Sequence, residues 1–337
     1  MRLTFRFTVV FVVLFVLTSF ALPLYFRGPY PHPPGPTFDK AVSKLYLHEI
    51  DNQHPAMVLL GDSLLTKDVD APQIQNALGL STYKLDIPGS SSALWYLITK
   101  SNIVPAGSPP RYLIVLFRDT ILTAPTFRTT GPYFGMIDKF AAPTDTLLTQ
   151  RAYLADLNLL QPAMEEYLPL YTYRSQMRDS LDAALRHTVP ALTGCDHDCA
   201  DGAMQDALGD IAPQAYAASI VQAEQVLYAN EELNFSAQVN RSFLPEIIQL
   251  AQSRGIQLIF VRAPTNIFPN EASKPKGLET YIIDLKDYLA AKQIPMIDLS
   301  HVKGIGPAQF VDPHHMTLEG KAIFTQALAE ALKGYVK

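Results

Sequence analysis

The sequence predicts an α/β fold, a three-layer α/β/α sandwich in which helices cover both faces of one parallel sheet. Short apolar runs, typical of strands buried on both faces, recur along the chain. Helical patterns occupy most of the intervals between them, and this alternation predicts parallel strands joined by crossover helices. The expected strands are AMVLLG (56–61), YKLDIP (83–88), YLIVLF (112–117), IQLIFV (256–261) and IPMIDL (294–299).

The number of strands sets the expected strand order and the position of a ligand. Five parallel strands favour the flavodoxin-like order 2-1-3-4-5, in which ligands bind beyond the carboxyl ends of the strands. Functional motifs should therefore stand directly after strands. The expected helices span 70–78, 93–102, 244–254, 278–292 and 318–334.

The first 27 residues predict a transmembrane anchor. Residues 7–26 carry no charge, and about 20 helical residues span a hydrocarbon core of roughly 30 Å. A cleaved signal peptide with the motif SFA (19–21) is the alternative, but the long apolar run and Pro23 favour an uncleaved anchor. Because Arg2 and Arg6 precede the run, we expect a single-pass protein of the cytoplasmic (inner) membrane with an extracytoplasmic, periplasmic body.

The rest of the sequence predicts a spacer, a split core and an insertion. Residues 28–55 contain the stiff proline-rich stretch RGPYPHPPGP and a short lead-in helix. The third and fourth expected strands lie about 135 residues apart, far more than a crossover helix needs. We therefore expect a core formed by 56–121 and 244–337, with 122–243 as a mainly helical insertion or lid.

Composition and cysteine content limit the possible partners. The net charge of −5, with no basic tract and no Gly-rich phosphate loop in the sequence, supports no nucleic-acid partner. Cys195 and Cys199, in TGCDHDCADG, predict a small disulfide-closed loop in an oxidising compartment. A metal site that includes His197 is the alternative, but the sequence indicates no further ligands. We expect no metal and no cofactor.

The stretch VLLGDSLL (58–65) contains the first candidate for chemistry. Ser63 follows the first expected strand, Gly61 permits a tight turn, and a helix begins next. At a helix N-terminus, the amide of Ser63 lies where partial positive charge favours a developing oxyanion. Ser63 is therefore a candidate nucleophile, and a helix-capping serine is the alternative.

The stretch FVDPHHMTLEG, before the final expected helix, contains the second candidate. Asp312 and His315 stand three residues apart, so one loop can present an imidazole with a carboxylate behind it. A serine nucleophile needs such a base, and the base needs an orienting acid. We expect His314 to line the site. A solvent-exposed loop with a helix cap at Thr317 is the alternative.

Together, GDS after the first strand and D-x-x-H-x-T-x-E-G before the final helix resemble the SGNH (GDSL-type) hydrolase superfamily. The resemblance covers the core and leaves the insertion unmatched. It implies the SGNH fold, with Ser63 as nucleophile, His315 as general base and then acid, and Asp312 as its orienting partner. It also implies an oxyanion hole formed by the amides of Ser63 and of Gly89, which stands in DIPGSSS after the second strand.

The third block departs from the family pattern. The family usually has Gly-x-Asn after the third strand, with the asparagine donating to the oxyanion, whereas this chain has Arg118, Asp119 and Thr120. The departure, the anchor and the insertion are similar to the membrane-anchored branch of the superfamily. That branch includes the alginate O-acetylation and teichoic acid D-alanylation proteins, which accompany membrane-bound O-acyltransferases. The resemblance therefore implies such an acyltransferase as a partner.

Two arginines follow expected strands and are candidates for substrate binding. Arg118 and Arg262 come after the third and fourth strands, where guanidinium groups can bind a carboxylate or phosphate. Structural arginines tied to Asp119 or to backbone carbonyls are the alternative.

The expected function is serine-dependent O-acyl transfer, acetyl by default, or ester hydrolysis on a cell-envelope polysaccharide or related polymer. It would proceed through an acyl-serine intermediate. The alternative is a non-catalytic anchored scaffold or partner of a membrane-bound O-acyltransferase, which the missing asparagine favours. A metal-binding periplasmic protein built on the cysteine loop is a third hypothesis.

Overall fold

The computed structural model describes residues 2–155, 157–158, 160–174, 176–177, 180, 224–268 and 271–337. Cys195 and Cys199 lie outside these residues, and so does most of the insertion's expected helical half. The chain divides into two units, Met1–Thr37 with Tyr153–Val221 and Phe38–Ala152 with Gln222–Lys337.

The second unit contains a five-stranded parallel sheet in the order β2-β1-β3-β4-β5, which confirms the predicted fold class and strand order. Every expected strand is present, with ends displaced by at most about two residues, which is ordinary uncertainty for element boundaries. The strands are β1 (Met57–Gly61), β2 (Thr82–Asp86), β3 (Tyr112–Phe117), β4 (Gln257–Arg262) and β5 (Met296–Asp298).

Helices occupy the expected intervals, and shorter ones occur within the insertion. The α-helices of the described residues are α1 (Arg2–Phe26), α2 (Leu45–Gln53), α3 (Ser63–Asp68), α4 (Ala71–Leu78), α5 (Ser92–Ile98), α6 (Phe134–Phe140), α7 (Thr146–Thr149), α8 (Leu160–Tyr167), α9 (Pro169–Thr172), α10 (Phe235–Gln238), α11 (Leu244–Ser253), α12 (Leu278–Ala291) and α13 (Leu318–Leu332). Short 3₁₀ turns lie at Gly131–Tyr133, Val239–Arg241, Glu271–Ser273 and Pro307–Gln309, and π-helical turns at Thr99–Ile103 and Gln150–Leu154.

Apolar residues of neighbouring strands form a core against α13. Leu59, Ile114 and Ile259, on three adjacent strands, belong to one buried cluster with Phe324 and Leu328 of α13. Burying such side chains contributes about 1.5–3 kcal/mol each. The packing fixes α13, and with it the loop that precedes α13, at the carboxyl edge of the sheet.

The first unit contains α1, the basis of the expected anchor. Its segment Arg6–Phe26 has a mean hydropathy of 2.5 and is long and apolar enough to cross a membrane. Within this unit, Phe26 stacks on Tyr173 at a ring-centre distance of 5.2 Å. The Gly35 amide donates to Glu165 Oε2 at 3.0 Å, so the spacer is tied to α8.

Candidate active site

The turn after β1 presents Ser63 at the N-terminus of α3. Gly61 leaves no room for a side chain, since a Cβ there would lie 2.9 Å from the Cβ of Leu65. The buried carboxylate of Asp62 caps α3, and its Oδ1 accepts a hydrogen bond from the Leu64 amide at 2.9 Å. Because Asp62 is the cap, the Ser63 hydroxyl is left for another partner.

That partner is His315, which follows Ser63 by 252 residues. Ser63 Oγ lies 2.9 Å from His315 Nε2, and His315 Nδ1 lies 2.8 Å from Asp312 Oδ2. Asp312 Oδ1 also accepts hydrogen bonds from the amides of His314 and His315, each at 2.8 Å. The structure thus brings the three residues of the sequence-predicted triad together, in the order hydroxyl, imidazole, carboxylate.

The hydrogen bonds to Asp312 determine its charge and the tautomer of His315. Burial acts to raise the pKa of Asp312, but the hydrogen bonds from the His315 ring and from the two amides outweigh it, so its pKa is lowered. An ionised acceptor at Oδ2 requires a proton on Nδ1 of His315. Nε2 can then accept the proton of the Ser63 hydroxyl, as a general base must.

A buried acid joins α3 to the loop that carries His315. The Met316 amide donates to Asp68 Oδ1 at 2.8 Å, whereas Asp68 Oδ2 has no partner among the described residues. Asp68 is fully buried, and this burial raises its pKa to about 6. Since Ser63 begins α3 and Asp68 ends it, the bond to Met316 helps to fix the distance between Ser63 and His315.

Gly89 follows β2 in a turn that favours glycine. Its φ is +80°, and a Cβ there would lie 2.9 Å from the Tyr133 ring. Ser90 Oγ donates to the Gly61 carbonyl at 3.2 Å, which joins this turn to the one that carries Ser63. In the described part of the chain, the amides of Ser63 and Gly89 donate to no protein acceptor, so both are available to an oxyanion.

The three residues after β3 all contact the segment 224–228. The contacts are Arg118 Nη2 to Glu224 Oε2 (2.5 Å), the Tyr228 hydroxyl to Asp119 Oδ2 (2.6 Å) and Thr120 Oγ1 to the Leu227 carbonyl (2.5 Å). Burial acts to lower the pKa of Arg118, but the charge of Glu224 outweighs it, and the guanidinium stays charged. Each of these three side chains therefore forms a hydrogen bond or an ion pair with the segment 224–228.

Glu224 is held by two guanidinium groups beside residues 312–315, the candidate catalytic loop. Its Oε2 contacts Arg118, and its Oε1 lies 2.8 Å from Arg128 Nη2. His314 Nε2 lies 3.9 Å from Oε2. Burial and the charge of Arg118 lower the pKa of His314, so its imidazole is neutral near pH 7. The two adjacent histidines thus have different partners, since His315 contacts Ser63 and His314 faces Glu224.

Arg262, at the end of β4, is paired with two carboxylates. Its Nη2 lies 2.9 Å from Asp119 Oδ1, and its Nη1 lies 3.3 Å from Asp298 Oδ2. Arg262 is therefore paired with Asp119, which is the arrangement that the sequence analysis gave as the alternative to substrate binding.

A cavity of about 660 Å³ adjoins this edge of the sheet, and its lining includes Arg262, Lys276 and Lys286. The loop after β4 contributes to the lining and also touches the catalytic loop, where the Asn266 amide donates to the Pro313 carbonyl at 2.8 Å. Ser63, Asp312 and His315 are not among the residues that line the cavity.

Sequence reasoning did not single out Asp68, Arg128, Glu224 or Tyr228. Glu224 and Tyr228 reach their partners across 106 and 109 residues, and neither stands in a motif. Of these four, Asp68 offered a signal, because it lies only five residues after Ser63 in the same short helix.

Several solved structures are similar to this chain. An acylhydrolase from Bacteroides fragilis is 15% identical, with 83% of this chain and 88% of that chain covered and a TM-score of 0.40. A GDSL-like lipase from Bacteroides thetaiotaomicron is 12% identical, with the same coverage and TM-score. A catalytic mutant of an acetylxylan esterase from Geobacillus stearothermophilus is 9% identical, with 83% and 94% covered and a TM-score of 0.38.

One protein-family model matches residues 219–337, about a third of the chain. No curated protein matches the sequence. The strand order and the arrangement after β1 agree with the SGNH resemblance. Its membrane-anchored branch is supported only by the apolar helix α1.

Proposed function

We propose that this chain is a serine-dependent esterase or O-acyltransferase that acts on a cell-envelope polysaccharide or related polymer. The observation that carries the proposal is the hydrogen-bonded series from Ser63 Oγ through the His315 ring to Asp312 Oδ2, with distances of 2.9 and 2.8 Å. In the first step Ser63 Oγ bonds to the ester carbonyl carbon while His315 Nε2 accepts the hydroxyl proton. Asp312 stabilises the resulting imidazolium.

The amides of Ser63 and Gly89 would donate to the oxyanion of the tetrahedral intermediate. When the intermediate collapses, the alcohol leaves with the proton from His315, and the acyl group stays on Ser63. A sugar hydroxyl or water then loses its proton to His315 and bonds to the acyl carbon; the bond to Ser63 Oγ breaks, and Oγ takes the proton back from His315, which restores the free hydroxyl. For the acyl group we propose acetyl. Transfer instead of hydrolysis requires that water be excluded from the acyl-serine.

The proposed substrate, membrane attachment and partner are each supported by a different observation. The cavity of about 660 Å³ at the carboxyl edge of the sheet, lined by Arg262, Lys276 and Lys286, offers space for a polymer segment. The apolar helix α1 supports attachment to the inner membrane. A membrane-bound O-acyltransferase as partner, and a periplasmic site of action, follow from the family resemblance.

Labelling of the nucleophile tests the proposal most directly. The full chain in detergent is treated with a fluorophosphonate, and intact-mass spectrometry counts the adducts. We expect one adduct, located at Ser63 by peptide mapping, and none in Ser63→Ala. If the wild-type chain stays unlabelled while Ser63→Ala cells still acylate their envelope polymer, the enzyme proposal is wrong.

A second assay separates transfer from hydrolysis. An aryl acetate is supplied as donor together with an oligosaccharide acceptor, and both free acetate and acetylated sugar are quantified. Acetylated sugar that depends on Ser63 supports transfer, whereas acetate alone supports hydrolysis.

The alternative function is that of an anchored, non-catalytic scaffold for a membrane-bound O-acyltransferase. One observation favours it: Arg118, Asp119 and Thr120, which stand where the family has its asparagine block, are all occupied by the segment 224–228. Under this alternative, Ser63→Ala would retain polymer acylation in cells, whereas deletion of the chain would abolish it.

A further inference from the structure

We propose that Arg128 supplies the side-chain oxyanion donor that the replaced asparagine would otherwise provide. The proposal rests on the proposed function, because an oxyanion forms only if Ser63 attacks an ester. It assigns the guanidinium of Arg128, which lies between β3 and α6, to the negative charge that develops on the carbonyl oxygen.

Arg128 lies near the residues of both turns that would form the oxyanion hole, directly on the Ser63 side and through Tyr133 on the Gly89 side. Its Nη1 lies 4.0 Å from Oδ2 of Asp62, which caps the helix that Ser63 begins. Its guanidinium carbon lies 5.4 Å from the centre of the Tyr133 ring. That ring packs so closely on Gly89 that a Cβ there would lie 2.9 Å from it. The guanidinium of Arg128 is thus beside the turn that carries Ser63, and the Tyr133 ring links it to the turn that carries Gly89.

The side chain of Arg128 has a hydrogen-bond donor to spare. It is 11% exposed, and its Nη2 is bound to Glu224 Oε1 at 2.8 Å. Its Nε is buried and has no acceptor among the residues that the structure describes. Because a buried donor without an acceptor is unfavourable, its presence points to an acceptor that arrives with the substrate.

The backbone of Arg128 is strained. Its φ is +56°, in the left-handed region that side-chain-bearing residues seldom adopt. Strain of this kind persists where the surrounding structure imposes it, and it is concentrated at functional sites. It is the second observation, besides the unpaired donor, that sets Arg128 apart from an ordinary surface arginine.

Arg118 fills the sequence position of the missing block but is less suited to this task. It is 2% exposed and directs Nη2 to Glu224 Oε2. Glu224 therefore takes one guanidinium on each oxygen, and Arg128 faces the carboxylates of both Glu224 and Asp62. We assign Glu224 as a positioning residue that holds Arg128 against the site.

Kinetics of variants test the proposal. Arg128→Met is compared with Arg151→Met, a matched control whose arginine pairs with Glu246 and is 19% exposed. With an aryl acetate as substrate, Arg128→Met should lower kcat by about 10²–10³-fold and change KM by less than about threefold. Arg151→Met should leave both constants unchanged.

A transition-state analogue separates this role from a structural one. A trifluoromethyl ketone forms a tetrahedral adduct with an oxyanion on the serine, so its affinity for Arg128→Met should fall by the same factor as kcat/KM. Guanidinium ion in solution should restore part of the lost rate. Wild-type kcat in Arg128→Met, or a lost kcat with unchanged affinity for the ketone, overturns the proposal.

A second variant and the labelling experiment separate failure of this proposal from misfolding and from failure of the proposed function. If Arg128→Met does not fold, Arg128→Gln is used, since it can still hydrogen-bond to Glu224. It should lose at least about tenfold in kcat at an unchanged melting temperature, and wild-type kcat would refute the proposal. Absence of fluorophosphonate labelling in the wild-type chain would instead refute the proposed function.

Discussion

The loops after β1 and β3 lie on neighbouring strands, yet they use their polar side chains in opposite ways. After β1, the half-buried hydroxyl of Ser63 has one side-chain partner, His315. After β3, the side chains of Arg118 and Asp119 are buried and bound to the segment 224–228. At the same edge of the sheet, the loop after β1 therefore leaves a hydroxyl accessible, whereas the loop after β3 binds the segment 224–228.

The difference separates two kinds of consequence for mutation. Breaking a buried ion pair leaves an uncompensated charge, so changes after β3 should lower the free energy of unfolding. The hydroxyl–imidazole–carboxylate series is partly exposed, so changes there should lower the rate and leave stability nearly unchanged. The following variants test this division, in order of decreasing expected effect.

Replacing each of the two adjacent histidines by alanine should give the largest difference in kcat. His315→Ala removes the partner of Ser63 and should lower kcat by about 10⁴–10⁶-fold, because the hydroxyl loses its proton acceptor. His314→Ala should lower kcat by less than about tenfold, since this ring faces Glu224. Steady-state hydrolysis of an aryl acetate measures both. Similar losses in the two variants would contradict the assignment of the base.

Asp312→Asn should lower kcat by about 10⁴-fold with little change in melting temperature. The amide oxygen can still accept the two backbone hydrogen bonds, but it no longer stabilises the imidazolium. Kinetics and circular dichroism are measured on the same preparation. An unfolded variant would show that Asp312 is a structural residue.

Asp68→Asn should change the pH dependence of stability. Burial raises the pKa of Asp68 to about 6, above its unfolded value, so the folded chain binds this proton more tightly. The stabilisation is complete below about pH 4 and is lost as pH rises through about 6, a total of about 3 kcal/mol.

Asp68→Asn lacks this contribution. The difference in unfolding free energy between wild type and variant should therefore change by that amount between pH 4 and pH 7 in urea titrations. A difference that is constant across this range would show that Asp68 has an ordinary pKa.

Tyr228→Phe tests the fastening of the segment 224–228. It removes the hydrogen bond to Asp119, a buried acceptor that keeps its ion pair with Arg262, and should cost about 1–2 kcal/mol of unfolding free energy. Tyr335→Phe, at a half-exposed position far along the chain, is the matched control and should be neutral. A large loss of kcat at unchanged stability would place Tyr228 in the chemistry instead.

Features that depend on a periodic pattern or on residues close together in the chain were predictable from the sequence. The sheet order follows from five apolar runs, and Asp312 and His315 share one short loop. The meeting of Ser63 with that loop was predictable because both stand at the carboxyl ends of elements in a parallel fold. The contacts of Arg118 with Glu224 and of Asp119 with Tyr228 were not predictable, since no period or motif relates residues about a hundred positions apart.

The separation of 252 residues between Ser63 and His315 also has a consequence for folding. Contacts of such long sequence range are slow to form, because the loop that they close must lose its entropy first. During synthesis, β1 and α3 are made long before the loop at 312–315 and α13, which packs behind it. The serine therefore stays an ordinary alcohol until almost the whole second unit has assembled. A chain that ends between residues 63 and 311 keeps Ser63 but lacks the imidazole with which Ser63 is paired.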